Sequence, residues 1–271
     1  MIRKPRRAAP ALVAGLALLC ASGVRCAPEA APPAQPQPSS KIEKLVARVL
    51  AEWPHDPDAF TQGLVWEAGG FWESLGLYGR SQVRRVELES GRVVRSVDCP
   101  KEVFGEGLAL AGRRLVQITW KEGRAFFYDP VTLQRSGQTT YTGDGWGLTF
   151  DGARLWMSDG SATLQVRDPR SLALERTLPV SRAGEPQGFI NELEWADGAL
   201  WANVWQSDTI VRIDPKSGEV TGEVDASGLL TREERERTDV LNGIAWDPQR
   251  HVFFITGKLW PKLFEVEFAR P

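Results

Sequence analysis

Short apolar stretches broken by Gly, Asp and Pro turns, five copies of one strand-opening frame, and forty-odd residues from copy to copy predict an all-β fold, a five-bladed β-propeller. The frame is an aliphatic anchor that opens an apolar strand. Its copies are Thr61-Gln62-Gly63-Leu64, Gly105-Glu106-Gly107-Leu108, Gly145-Trp146-Gly147-Leu148, Ile190-Asn191-Glu192-Leu193 and Leu241-Asn242-Gly243-Ile244. Glycine stands just before the anchor in all but one, where Glu192 replaces it. The anchors Leu64, Leu108, Leu148, Leu193 and Ile244 lie 44, 40, 45 and 51 residues apart. No long helical period interrupts them.

Each element has its own justification. A second strand follows every anchor, at Phe71-Trp72, Leu115-Val116, Leu155-Trp156, Leu200-Trp201 and Phe253-Phe254. Third strands end in Tyr128-Asp129-Pro130, Arg167-Asp168-Pro169 and Ile213-Asp214-Pro215, where Pro fixes the turn and the Asp side chain caps it. The last unit ends on residues 263–268 and lacks an outer strand. Residues 42–50 are apolar on alternate stretches and precede the first unit, so they are expected to supply it. That would close the ring with the N- and C-terminal strands in one blade and leave few open edges. The charge run at residues 231–237 reads as a solvated turn of helix between blades.

Composition narrows the partners. Residues 1–26 hold five basic and no acidic residues, so the remainder has 28 basic against 35 acidic, a net charge of −7. This argues against nucleic acid and against an anionic membrane surface. Arg3, Lys4, Arg6 and Arg7 precede an apolar run too short to span a bilayer, the pattern of a secretory signal over residues 1–26. Cys20 adds a lipoprotein option. Residues 27–40 contain five prolines and read as an extended linker, leaving 41–271 as the domain. The expected protein is exported (periplasmic, secreted or lipid-anchored), monomeric, and has no transmembrane span when mature. Cys99 is the one cysteine of the domain and reads as a buried small hydrophobe.

In a propeller the first strands line the axis, so the residue two before each anchor converges on one mouth: Gln62, Glu106, Trp146, Asn191 and Asn242. Second strands return to that face and end at Gly76, Trp120, Gly160, Trp205 and Lys258. One carboxylate, three amides, three indoles and one ammonium should therefore surround one opening. Trp72, Trp156 and Trp201 are expected in the core. Gly63, Gly107, Gly147 and Gly243 are expected as tight-turn residues. His55 and His251 are the only histidines, too few for a three-histidine zinc site, and no metal or other cofactor is expected.

Five stretches, in order and across all units, resemble the plant-type glutaminyl-peptide cyclotransferases, also found in bacteria. They are Phe60-Thr61-Gln62-Gly63-Leu64, Phe104-Gly105-Glu106-Gly107-Leu108, Gly145-Trp146-Gly147-Leu148, Ile190-Asn191-Glu192-Leu193-Glu194 and Thr256-Gly257-Lys258-Leu259-Trp260-Pro261. The resemblance implies a five-bladed propeller that makes N-terminal pyroglutamate from peptides and proteins bearing N-terminal Gln, releasing ammonia without catalytic zinc. It implies Glu106 as the acid/base, with Phe60, Gln62, Phe104, Trp120, Trp146, Asn191, Trp205 and Lys258 around the substrate. Leu75 stands where a threonine is usual, and Asp144 where a glutamate is usual.

The chemistry fits on its own terms. One carboxylate can take a proton from the attacking amine and return it to the leaving ammonia, help typically worth about 10²–10⁴-fold. Indole walls would exclude water and raise the carboxyl pKa. Two other readings use the same residues. A calcium-dependent propeller lactonase would take Asn191, Glu192 and Asn242 as ligands, and a non-catalytic envelope propeller would bind peptides at the mouth.

Overall fold

The computed structural model describes residues 41–271. The expected signal segment with Cys20 and the linker lie outside the described residues. Strand β1 (Glu43–Pro54) opens the described chain. Strands β2 (Thr61–Glu67), β3 (Gly70–Leu75), β4 (Gln82–Glu87) and β5 (Val93–Asp98) form an antiparallel sheet in sequence order. The pattern repeats in β6 (Gly105–Ala111), β7 (Arg114–Thr119), β8 (Arg124–Tyr128) and β9 (Arg135–Thr140). It repeats again in β10 (Leu148–Phe150), β11 (Leu155–Met157), β12 (Thr163–Arg167) and β13 (Leu174–Pro179). After a two-stranded ribbon, β14 (Ser181–Arg182) and β15 (Glu185–Pro186), come β16 (Ile190–Ala196), β17 (Ala199–Val204), β18 (Thr209–Ile213) and β19 (Val220–Asp225). Helix α1 (Arg232–Arg235) then leads to β20 (Leu241–Asp247), β21 (Val252–Gly257) and β22 (Lys262–Ala269). The helix is one capped turn: Thr231 Oγ1 accepts from Glu234 N, and Glu234 Oε2 accepts from Thr231 N. The described residues are thus all-β and propeller-like, with almost no helix among them.

Strand β1 links the chain ends. It pairs antiparallel with β22, from Val46 opposite Ala269 to Pro54 opposite Lys262. It runs past Leu50, the limit expected from the sequence, and also pairs in parallel with β19 from Glu43 to Val46. That second pairing fuses eight strands into one sheet, in the order β16-β17-β18-β19-β1-β22-β21-β20. The first strands touch in a closed circle: β2 with β6, β6 with β10, β10 with β16, β16 with β20, and β20 with β2.

The apolar cores lie between neighbouring layers. Trp72 and Val83 pack with Leu108 and Phe126; Ala109 and Val116 pack with Leu148 and Met157. Trp156 and Leu164 meet Leu193 and Val211, and Trp201 and Ile210 meet Ile244 and Phe264. Leu64 and Phe71 close the circle against Phe254 and Leu263. Burying one such side chain is worth about 1.5–3 kcal/mol. The three second-strand indoles, Trp72, Trp156 and Trp201, lie in these cores as expected, and Cys99 is buried.

The Asp-Pro turns form as the sequence implies. Asp129 Oδ1 accepts from Val131 N and Thr132 N, Asp168 Oδ1 from Arg170 N and Ser171 N, and Asp214 Oδ1 from Lys216 N and Ser217 N. A polar clasp adds to ring closure. His55 N donates to Pro261 O at 3.0 Å, and His55 Nδ1 to Trp260 O at 2.7 Å.

Candidate active site

Four of the five slots are aimed by β-bulges. Strand pairing shifts register between Thr61 and Gly63, Gly105 and Leu108, Ile190 and Leu193, and Leu241 and Ile244. A bulge leaves one residue unpaired and re-aims its side chain, and here that residue is the variable slot or its neighbour.

The glycines after the slots do not serve tight turns, contrary to expectation. A Cβ on Gly63 would stand 2.5 Å from Leu108 N, one on Gly107 2.5 Å from Leu148 N, and one on Gly147 would overlap the Asn191 carbonyl. Backbones of successive first strands approach too closely there for any side chain. Only Gly243 of the four has a positive φ, +127°. Glu192 occupies the equivalent position because its side chain reaches over the axis. Its Oε1 accepts from Leu64 N at 3.3 Å and its Oε2 from Ile244 N at 2.8 Å.

A cavity of about 390 Å³ opens at the mouth, lined by Phe60, Gln62, Phe104, Glu106, Trp120, Trp146, Asn191, Trp205, Gln206, Asp239, Val240 and Lys258. All nine residues expected at the site line it. Its walls are edge-to-face aromatic pairs: Phe60 with Phe104 at 6.1 Å, Phe104 with Trp120 at 5.6 Å, Trp146 with Trp205 at 5.4 Å. Lys258 Nζ lies 4.9 Å from the Phe60 ring centre, a cation–π distance. Gly76 and Gly160 carry no side chain because the Phe104 and Trp146 rings lie over them.

Glu106 is the buried carboxylate of this cavity, 5% exposed. Gln62 Nε2 donates to its Oε1 at 3.2 Å. Burial pushes its pKa well above the ordinary carboxylate value; Glu122 and Asp144 add to this, and the Lys258 charge opposes it. Burial likewise lowers Lys258, against the pull of Glu106 and Asp239. Glu192 and Glu194 are also raised by burial, Glu194 to about 8, yet neither lines the cavity. A raised pKa alone would not have singled out Glu106.

Two buried polar atoms of cavity residues have no protein partner: the Trp146 indole N–H and Asn191 Oδ1. They present one donor and one acceptor. Asn242 lies behind Gln62 and does not line the cavity, so two of the three expected amides reach it. Of the lactonase ligand set only Glu192 has its oxygens engaged; Asn191 Oδ1 and Asn242 Oδ1 have no protein partner. Both Glu192 oxygens take backbone N–H groups, and Asn242 Nδ2 donates to Thr61 O and Gln62 Oε1. Among the described residues no group of three His, Cys, Asp or Glu could hold a metal ion.

Sequence reasoning missed Gln206, Asp239 and Val240. The repeat frame held the signal. Val240 stands two residues before its slot, as Phe60 and Phe104 do, and Gln206 follows Trp205 at the end of a second strand. Gln206 (φ 61°), Leu77 (φ 83°) and Leu259 (φ 62°) all have left-handed backbone just after second-strand ends at this face.

Known proteins resemble this chain in sequence and fold. A family profile described as glutamine cyclotransferase matches residues 18–268. A glutaminyl-peptide cyclotransferase of Arabidopsis thaliana is 44% identical over 237 residues, covering 86% of this chain and 73% of that protein. The crystal structure of Myxococcus xanthus glutaminyl cyclase aligns with a TM-score of 0.77 at 41% identity, covering 84% of this chain and 99% of that one.

Proposed function

The chain belongs to the glutamine cyclotransferase family, and from that premise we propose that Glu106 is the proton-transfer group with which it converts N-terminal glutamine of peptides to pyroglutamate. The observation that carries the assignment is a buried carboxylate, hydrogen-bonded by Gln62, in a cavity walled by three indoles.

The substrate α-amine attacks the carbonyl carbon of its own side-chain amide. A C–N bond forms and closes a five-membered ring. Glu106 accepts a proton from the attacking nitrogen and delivers it to the amide nitrogen. The old C–N bond then breaks and ammonia leaves. Peptide and ammonia together account for every atom of the substrate. A carboxyl with a raised pKa exchanges its proton nearer the working pH, which favours one group serving as base and then acid. Lys258 and the free Trp146 N–H stabilise the carbonyl oxygen as negative charge develops. Asn191 Oδ1 accepts from the substrate amine. Phe60, Phe104, Trp120 and Trp205 hold the bent conformer and exclude water.

The finer architecture belongs to the same reading: five blades, supported by the closed circle of first strands, with β1 and β22 sharing the last blade. So do export by a leader at residues 1–26, with the Cys20 option, a linker at 27–40, a domain at 41–271 and a monomeric state. Among the described residues no helix is long and apolar enough to cross a membrane. Mass spectrometry of a Gln-initiated peptide incubated with pure protein tests the function. Loss of one ammonia per peptide is expected, and an unaltered peptide mass would refute it.

A further inference from the structure

Gln62 faces two ways. Its Nε2 lies 3.2 Å from Glu106 Oε1, and its Oε1 lies 3.3 Å from Asn242 Nδ2. The second Asn242 contact decides the polarity of the row. Asn242 Nδ2 lies 2.9 Å from the Thr61 backbone carbonyl, which can only accept. The nitrogen end of Asn242 must therefore face β2. The Gln62 atom beside it must then be the oxygen, and the Gln62 end that faces Glu106 must be the N–H. One backbone carbonyl thus fixes two amide orientations and the hydrogen bond to the carboxylate.

We infer that Asn242 is a positioning residue that locks the Gln62 amide with its N–H turned toward Glu106. It touches neither the cavity nor the reacting atoms. Both amides are buried, Asn242 fully and Gln62 at 2% exposure, so water does not take over the task. The Asn242 Oδ1 has no partner, so the donor end is what the fold uses.

The consequence is electrostatic. A donor on a carboxylate favours its charged form. An unlocked Gln62 could turn its carbonyl oxygen to Glu106 instead, which favours the protonated form. Lys258, Glu122, Asp144 and the phenols of Tyr78 and Tyr141 also act on Glu106 and stay constant across variants. The inference rests on Glu106 as the proton-transfer group.

The test is a double-mutant cycle read by the pH profile of kcat/KM for a Gln-initiated peptide. The proteins are wild type, Asn242→Ala, Gln62→Leu and the double variant. The substrate amine titrates alike in all four, so differences belong to the protein. Asn242→Ala should lower kcat/KM about tenfold, as expected for loss of a positioned charge-assisted hydrogen bond. It should also move the acidic limb to higher pH. In the Gln62→Leu background the same change should move neither. An unmoved limb in Asn242→Ala, or an equal shift in both backgrounds, would overturn the inference. Should Asn242→Ala fail to fold, Asn242→Ser keeps a donor for Thr61 and replaces it in the cycle, where a shifted limb supports the inference and an unmoved limb overturns it. Glu106→Gln is measured alongside. If it is dead while Asn242→Ala leaves the limb in place, only this inference falls; if it keeps full turnover, the reading of Glu106 falls too.

Discussion

The Glu192 carboxylate accepts the backbone N–H of Ile244 at 2.8 Å. Its other oxygen accepts Leu64 N–H at 3.3 Å, so one side chain satisfies two first strands across the axis. Glu192→Gln would set an NH₂ group against one of these N–H donors. A buried group left unsatisfied costs about 1–3 kcal/mol. The variant should melt several degrees lower with kcat/KM close to wild type. Collapse of turnover at an unchanged melting temperature would move Glu192 into the chemistry.

His55 gives both ring nitrogens to acceptors, Nδ1 to Trp260 O and Nε2 to Glu73 Oε1 at 3.0 Å. Burial disfavours the cation, but the Glu73 charge outweighs it and the pKa is raised. Burial pushes the Glu73 pKa up, yet Arg84 and His55 take it down to about 2. A raised cation stabilises the fold fully below its unfolded value of ~6.5, and that contribution is lost as pH rises through the folded value. The stability difference between wild type and His55→Gln, from urea melts, should shrink as pH rises above neutrality. A difference that stays constant or grows would contradict the assignment.

Removing β1 uncovers the edges of both β22 and β19. Deletion of residues 43–54 should abolish the cooperative melt or give aggregates through the open edges. A truncated protein with wild-type melting behaviour would show that β1 is dispensable for closure.

The Trp146 indole N–H is buried without a partner. Trp146→Phe removes a donor that no other protein group uses and that the proposed mechanism assigns to the substrate. It should lower kcat/KM about two- to tenfold, the worth of a neutral hydrogen bond of about 0.5–1.5 kcal/mol. Full retention of kcat/KM would remove Trp146 N–H from the site.

Much of the candidate site was legible because the repeat is. Once Leu64, Leu108, Leu148, Leu193 and Ile244 are aligned, strand alternation places Gln62, Glu106, Trp146 and Asn191 at one mouth. The purpose of Gly63 was hidden, because its steric neighbour, Leu108 N, is 45 residues away and belongs to the next sheet. Asn242 shares the slot but falls behind Gln62, a difference of depth that spacing does not encode. Val240 was overlooked because its counterparts Phe60 and Phe104 are aromatic, and an aliphatic residue there reads as core. The parallel pairing of β1 with β19 has no local signal, since Glu43 to Val46 meets a strand far along the chain.

The measurement that bears most directly on the proposed chemistry is single-turnover and steady-state kinetics of Glu106→Gln on a Gln-initiated peptide. The substitution keeps shape and hydrogen-bonding capacity but removes the proton acceptor. The variant should fold, bind the peptide with near-normal KM, and lose about 10²-fold or more in kcat, the scale of general acid–base catalysis. Near-full turnover in Glu106→Gln, with Glu192→Gln inactive, would contradict the assignment and move the chemistry to Glu192.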